Sequence, residues 1–151
     1  MRTLVVFTLD AQRYAVHLPV VSRVIRAVEI ARLPKAPAIV LGVINVHGQI
    51  VPVVDVRTRF GLPRRELEPG DQFVLARAGS RNVALVVDFV SGIVDCPEES
   101  IVALEQVAGG VEYVAGIAKL ADGVTLIHDL ETFLSLDEKK SLDRALAKRK
   151  A

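Results

Sequence analysis

The chain has 151 residues, 51% of them hydrophobic, with a formal net charge of +1 and one cysteine. This length suits one domain or two small subdomains, and the apolar content supplies a buried core, which excludes a disordered chain. The near-neutral charge excludes a long-range field for nucleic acid or an anionic membrane; the basic tail Lys148-Arg149-Lys150 is a local exception and reads as a solvated helix end.

Leu4 to Leu9 and Tyr14 to Leu18 are strand-like runs around Asp10-Ala11-Gln12-Arg13, which predicts a hairpin. Pro19 suits a first helical position, and Val20, Val21 and Val24 recur at helical spacing, which predicts a short helix there. Val28 to Leu33 returns to strand character and ends at Pro34 and Pro37.

The stretch Gly42 to Gly61, GVINVHGQIVPVVDVRTRFG, is the most informative. Val43 to Val46 and Ile50 to Val54 are β-branched runs on either side of His47-Gly48, a pair that tolerates positive φ, so a hairpin is expected. Asp55 stands where its side chain can cap a short helix, Val56 to Phe60, and Gly61 can close that helix. Pro52 donates no ladder hydrogen bond, so it belongs at an edge or a bulge, which leaves the hairpin partly open for docking.

The linker LPRRELEPG, Leu62 to Gly70, is the best internal boundary. After it the pattern starts again. Val74 to Val94 lies without gaps on Val5 to Ile25, matching Val90-Ser91 to Val21-Ser22 and Ile93 to Val24. Gly116-Ile117 to Phe133 then echoes Gly42-Val43 to Phe60, with Gly123 in the turn and Asp129 as a second helix cap. Two matches in the same order argue for an internal duplication. Between them Gly109-Gly110 marks a loop. Ser135-Leu136-Asp137-Glu138 reads as a capping box for a last helix reaching about Lys150; its narrow apolar edge of Leu142, Ala145 and Leu146 predicts weak docking or fraying. Short strands in each half predict a mainly β protein of two tandem five-stranded barrels with short helices and a C-terminal helix.

No catalytic constellation emerges. His17, His47 and His128 share no metal-ligand spacing with one another or with Cys96, and His17 and His128 read as structural imidazoles. Cys96 stands near Glu98 and Glu99, which disfavours a nucleophilic role. Ser22 and Ser91 lack a nucleophile elbow, no phosphate-binding glycine loop is present, and Asp55, Asp88 and Asp129 read as caps and strand-end turns. No metal and no cofactor are predicted. A β-barrel binding nucleic acid is the second reading, weakened by 5% aromatic content, and a small enzyme is the third. A lone cysteine, the absence of a signal-peptide pattern in MRTLVVFTLD, and no apolar run near the roughly 20 residues that span a bilayer predict a cytoplasmic protein without direct membrane insertion.

GVINVHGQIVPVVDVRTRF resembles the signature of the CheW family, adaptors that couple bacterial chemoreceptors to a histidine kinase. Gly42, Val43, Asn45, Gly48, Pro52, Val53, Asp55 and Arg57 fit the family pattern, and the likeness runs from about Val5 to Leu134. It implies two SH3-like barrels sharing a hydrophobic seam, here a single CheW-like domain over 1-135 with subdomains at about 11-67 and 71-134, the first strand possibly shared, and a tail over 136-151. It also implies a non-enzymatic adaptor whose partners are the regulatory domain of a CheA-type histidine kinase and the helical tip of a methyl-accepting chemoreceptor, recruited through them to membrane-associated arrays. The receptor groove would be lined by Val21, Arg23, Val24, Ile44, Asn45, Val46 and His47, although any of these valines reads equally well as plain core. The family usually has glutamate where Arg23 stands and arginine where His47 stands. Both positions being potentially basic here, the expectation is that the family's acid–base pair cannot form between them.

Overall fold

Successive side chains of a strand point to opposite faces, so a strand buried on both faces must lie between two apolar layers. Strand β1 (Arg2–Leu9) is such a strand, with Leu4 to Phe7 all buried. Its Val5, Phe7 and Leu9 enter a large core, whereas Leu4 and Val6 join Ala15, Cys96, Ala118 and Ile127 in a smaller one. The computed structural model describes residues 1–103, 114–120, 123–130, 134 and 136–150. After β1 come β2 (Gln12–His17), β3 (Val21–Arg26), β4 (Val40–Val46), β5 (Gln49–Val54), α1 (Val56–Arg59), β6 (Gln72–Ala78), β7 (Arg81–Val87), β8 (Phe89–Cys96), β9 (Ile101–Ala103), β10 (Val114–Leu120), β11 (Gly123–His128) and α2 (Leu136–Lys150).

The strands form a six-stranded sheet, β8-β1-β2-β11-β10-β9, and a five-stranded sheet, β3-β6-β7-β5-β4. The protein is mainly β, with two small sheets and few helices, as expected. The sheets are not the two halves of the sequence, however. β2 pairs in parallel with β11, and β5 in parallel with β7, so each sheet combines one half's first hairpin with the other half's remaining strands. A division at about 11-67 and 71-134 therefore does not separate the sheets: Gln12–His17 belongs with second-half strands and Gln72–Val87 with first-half strands. The large core contains Val5, Phe7 and Val16 of one sheet and Val54, Val74 and Leu85 of the other, and so lies between them.

The duplication read in the sequence reappears in the geometry. The gapless match lays β1, β2 and β3 on β6, β7 and β8, and the second match lays β4 and β5 on β10 and β11. Irregularities repeat with it. Ser22 is the extra residue where β3 slips against β6, and Ser91 the extra residue where β8 slips against β1. Gly42 and Gly116 each follow a register shift, and a Cβ on either would press on a neighbouring backbone carbonyl, that of Ala31 or of Val102. Glycine at these positions lets a neighbouring segment approach closely.

Three expectations are corrected. The predicted helix after Pro19 is a single 3-10 turn, Leu18–Val20, followed at once by β3, because the β-branched run 20–21 and 24–25 is drawn into the sheet beside β6. Val28 to Leu33 is not a strand. Only Ala31 pairs, exchanging two backbone hydrogen bonds with Val43, and Lys35 at φ 64° with Pro34 turns the chain away. Helix α2 is firmly docked rather than loose: Leu142 and Ala145 are buried in the large core, and Glu138 meets Arg59 at 2.6 Å. Gly109-Gly110, Phe133 and Ser135 lie outside the described residues, as do 131–133, which Asp129 would cap.

An aromatic run supports the seam. Phe7 stacks on Tyr14, Tyr14 on Phe60 with centroids 4.7 Å apart, and Phe60 meets the edge of His128. Burial, helped by the Arg59 cation, pushes the His128 imidazole down to about 3 from its ordinary 6.5. The native side chain thus stays neutral where the unfolded chain takes up a proton. Stability should fall as pH drops below 6.5, by about 1.4 kcal/mol per unit from this group. Denaturant unfolding at pH 7 and pH 5 checks this, and His128→Asn should lack that part of the slope whatever its own stability.

Candidate functional site

The hairpin β4–β5 turns through His47 at φ 50° and Gly48 at φ 85°, two successive left-handed residues that match the twist of paired strands. Asn45 Oδ1 accepts the Gly48 amide at 2.8 Å and closes the turn from within. Val43 spends both backbone groups on Ala31, so its partner Pro52 also faces away from β4, on the side where pairing with β7 begins only at Val53. Proline stands where a ladder bond is not required. β5 is nevertheless an inner strand; β4 is the open edge, met only by Ala31.

β3 and β4 are the outermost strands of the five-stranded sheet, yet Arg23 Nη1 lies 2.7 Å from His47 Nε2. No acid–base pair is involved, yet the two side chains meet in a hydrogen bond. A guanidinium has only donors, so the imidazole nitrogen accepts, with its own proton on Nδ1. Around them Val24, Asn45 and Ile50 are exposed, while Val21 and Val46 are half-buried against the cores. Ile44 is corrected: at 4% exposure it packs with Val51, Val53, Phe73 and Leu75 inside the sheet and lines no accessible surface. The edge thus offers one fixed positive charge, an imidazole and a few apolar side chains, the chemistry of a docking surface.

Behind this hairpin lies an ionic junction that sequence reasoning missed. Asp55 caps α1, accepting from the Thr58 amide at 3.3 Å and its hydroxyl at 2.6 Å. The helix ends as Gly61, at φ 72°, donates to the Thr58 carbonyl and Leu62 to that of Arg57. This single turn aims the buried Arg57 at the β1–β2 turn and at the link between β7 and β8: Nη1 meets Asp10 Oδ1 at 2.7 Å, and Nη2 meets both Asp88 oxygens at 2.8 Å. Arg65 joins from the linker, 2.6 Å from Asp88 and 2.8 Å from the buried Asp71. Burial alone would raise the Asp88 carboxyl, but hydrogen bonds from Arg57, the Asp10 amide and Arg65 hold it below its usual range. Asp88 is therefore a cation partner rather than a simple turn residue. The available signal was the placement of Asp10 and Asp88, each just after a buried strand, with an arginine in the capped turn.

Among the described residues no group of three His, Cys, Asp or Glu side chains could hold a metal. Cys96 is wholly buried, its thiol directed at the Pro97 carbonyl. His17 is half-buried at the end of β2, pushed down by burial and by Arg2. Phe89 is 60% exposed on the edge strand β8. No described helix is long and apolar enough to cross a membrane.

Comparison with known proteins places this geometry. The CheW-like domain family model matches residues 3–138, and the chain belongs to that family. It is 28% identical over 142 residues to a chemotaxis protein CheW of Rhizobium meliloti, covering 93% of this chain and 92% of the relative. It is 25% identical over 145 residues to a chemotaxis protein CheW of Treponema pallidum, covering 92% and 85%. The crystal structure of the scaffolding protein TtCheW from Thermoanaerobacter tengcongensis superposes with a TM-score of 0.82 at 28% identity, over 91% of this chain and 94% of that one.

Two substitutions probe the hairpin and its anchor. Arg57→Ala leaves Asp10 and Asp88 without their shared cation and should cost about 3 kcal/mol in chemical denaturation. Because the Asp88 carboxyl is depressed below 3.8, its stabilisation is present above that value and is lost as pH falls toward the native value. Gly48→Val forces a β-branched residue to positive φ in an exposed turn and should lower stability by about 1–3 kcal/mol, read as a drop in Tm.

Proposed function

We propose that this protein is a non-enzymatic adaptor that couples chemoreceptors to a CheA-type histidine kinase. The observation that carries the reading is the family match across nearly the whole chain, residues 3–138, with a scaffolding relative of the same fold. An adaptor works through its surfaces, and the arrangement of this chain suits that role. Its buried charges are committed to holding strands together, while the edge beside Arg23 and His47 is left open. A cytoplasmic location, with recruitment to receptor arrays through partners, follows from the same reading.

On this reading the receptor's helical tip lies along β3 and the β4–β5 turn. Val24, Arg23 and His47 make the contact, Val21 and Val46 form its half-buried floor, and Asn45 keeps the turn in shape. The kinase's regulatory domain engages a separate face. Since Arg23 meets an imidazole and no carboxylate is paired with it among the described residues, its positive charge is not cancelled within the site. A receptor that fits has a carboxylate opposite Arg23, and a tip that places a cation there is rejected by unpaired charge.

The test is calorimetry with purified cognate receptor and kinase fragments, without nucleotide or metal. Both should bind at micromolar strength or better. Arg23→Glu combined with His47→Arg should change the affinity ratio between cognate and non-cognate receptor fragments by roughly tenfold and leave kinase binding intact. An unchanged ratio removes these residues from the receptor site; absence of binding to either fragment removes the coupling role.

A further inference from the structure

Charge is unevenly placed along this chain. Residues 139–150 contain six of the nineteen Lys and Arg and one of the eighteen Asp and Glu, so a molecule of net charge +1 holds +5 in this segment and −4 elsewhere. Folding increases the contrast. Two of the three acids of α2 are engaged as tethers, Glu138 on Arg59 and Asp143 on Arg81, while Lys140 and Arg144 are exposed. Where α2 passes the loop after Ala31, it encloses a slot of about 280 Å³ lined by Lys35, Ser141, Arg144, Ala145 and Ala147. No acidic side chain is among these described lining residues. Lys35 is held at φ 64° and also borders a second hollow, of about 440 Å³, formed by residues 32–41 with Arg32 at its rim.

We propose that this slot is a second docking site, distinct from the β3 and β4–β5 edge, and that its occupant is an acidic helical segment of a partner protein. Two cations flank a floor of alanine methyls and one serine hydroxyl. A carboxylate set between small apolar side chains fits that pattern: the acid bridges Lys35 and Arg144 while a neighbour covers the exposed Ala147. A nucleic acid would find phosphate contacts but no aromatic side chain in the slot on which a base could stack. A membrane surface would find no apolar face to insert, because Leu142 and Ala145 are already buried in the core.

The test uses the full-length protein and a fluorescein-labelled helical peptide of glutamate, alanine and leucine, followed by anisotropy at low and physiological salt. A single-stranded DNA oligonucleotide and phosphatidylserine vesicles serve as competing probes. Saturable peptide binding is expected, weakened about tenfold by Arg144→Glu and further by Lys35→Glu. Arg77→Glu, an exposed arginine on β6, should leave it unchanged. If Lys35→Glu does not fold, as judged by circular dichroism, Arg144→Glu alone decides. An equal loss with Arg77→Glu, tighter binding of the DNA or the vesicles than of the peptide, or no peptide binding each overturns the proposal.

Discussion

The Arg57 guanidinium is the point on which the two sheets depend. It is buried, and it comes from a helix of one turn that follows β5 of the five-stranded sheet. It holds two carboxylates, Asp10 from a hairpin of the six-stranded sheet and Asp88 from the point where β7 of the five-stranded sheet passes into β8 of the six-stranded one. Taking such charges out of water is expensive, and a well-packed apolar cluster could be equally stable. What the ionic junction adds is definition. A fork of five donors accepts carboxylates only from set directions, so Asp10 and Asp88 fix how the two sheets lie, which apolar contact alone leaves loose. Arg65 extends the lock to the linker through Asp71, so the stretch that looks most like a domain boundary is bound to the centre of the molecule.

Strand exchange between the halves has the same consequence. Because each sheet takes a hairpin from one half and the remaining strands from the other, neither half can complete a sheet alone. The seam is therefore an interior, with Val5, Phe7 and Leu9 packed against Val54, Val74 and Leu85, and unlike an interface between independently folded units it leaves little freedom for relative movement. For an adaptor this matters, since a partner bound at one end meets a rigid body extending to the other.

The exposed site follows from curvature. β3 and β4 are as far apart as the strand order of their sheet allows, yet Arg23 and His47 are in hydrogen-bond contact, so the sheet curls until its outer strands approach. Twist in short strands, increased by the extra residue at Ser22 and the register shift before Gly42, has that effect. The second half repeats the bulge at Ser91 but has Gly92 where Arg23 stands, so the two sheets offer chemically different edges on the same framework.

Local chemistry was legible in the sequence. Periodicity and turn residues determined the β1–β2 and β4–β5 hairpins, the His47-Gly48 turn and the Asp55 cap, because these depend on neighbours a few residues apart, and the internal match aligned Ser22 with Ser91, where the structure has a pair of bulges. The family signature lay in the same stretch. What the sequence could not determine were facts that need two distant segments at once. Val20, Val21 and Val24 carry a helical spacing, but β6 lay alongside and its ladder outweighed a weak local preference. Leu142, Ala145 and Leu146 look too few to dock a helix until a core hollow and the Arg59 side chain are there to receive it. Arg23 and His47, read as positions that form no acid–base pair, are brought within 2.7 Å of each other because the sheet curls. The exchange of strands was decided by tertiary structure alone: a continuous apolar run records that a strand is buried on both faces, and carries no information about which half supplies the neighbour.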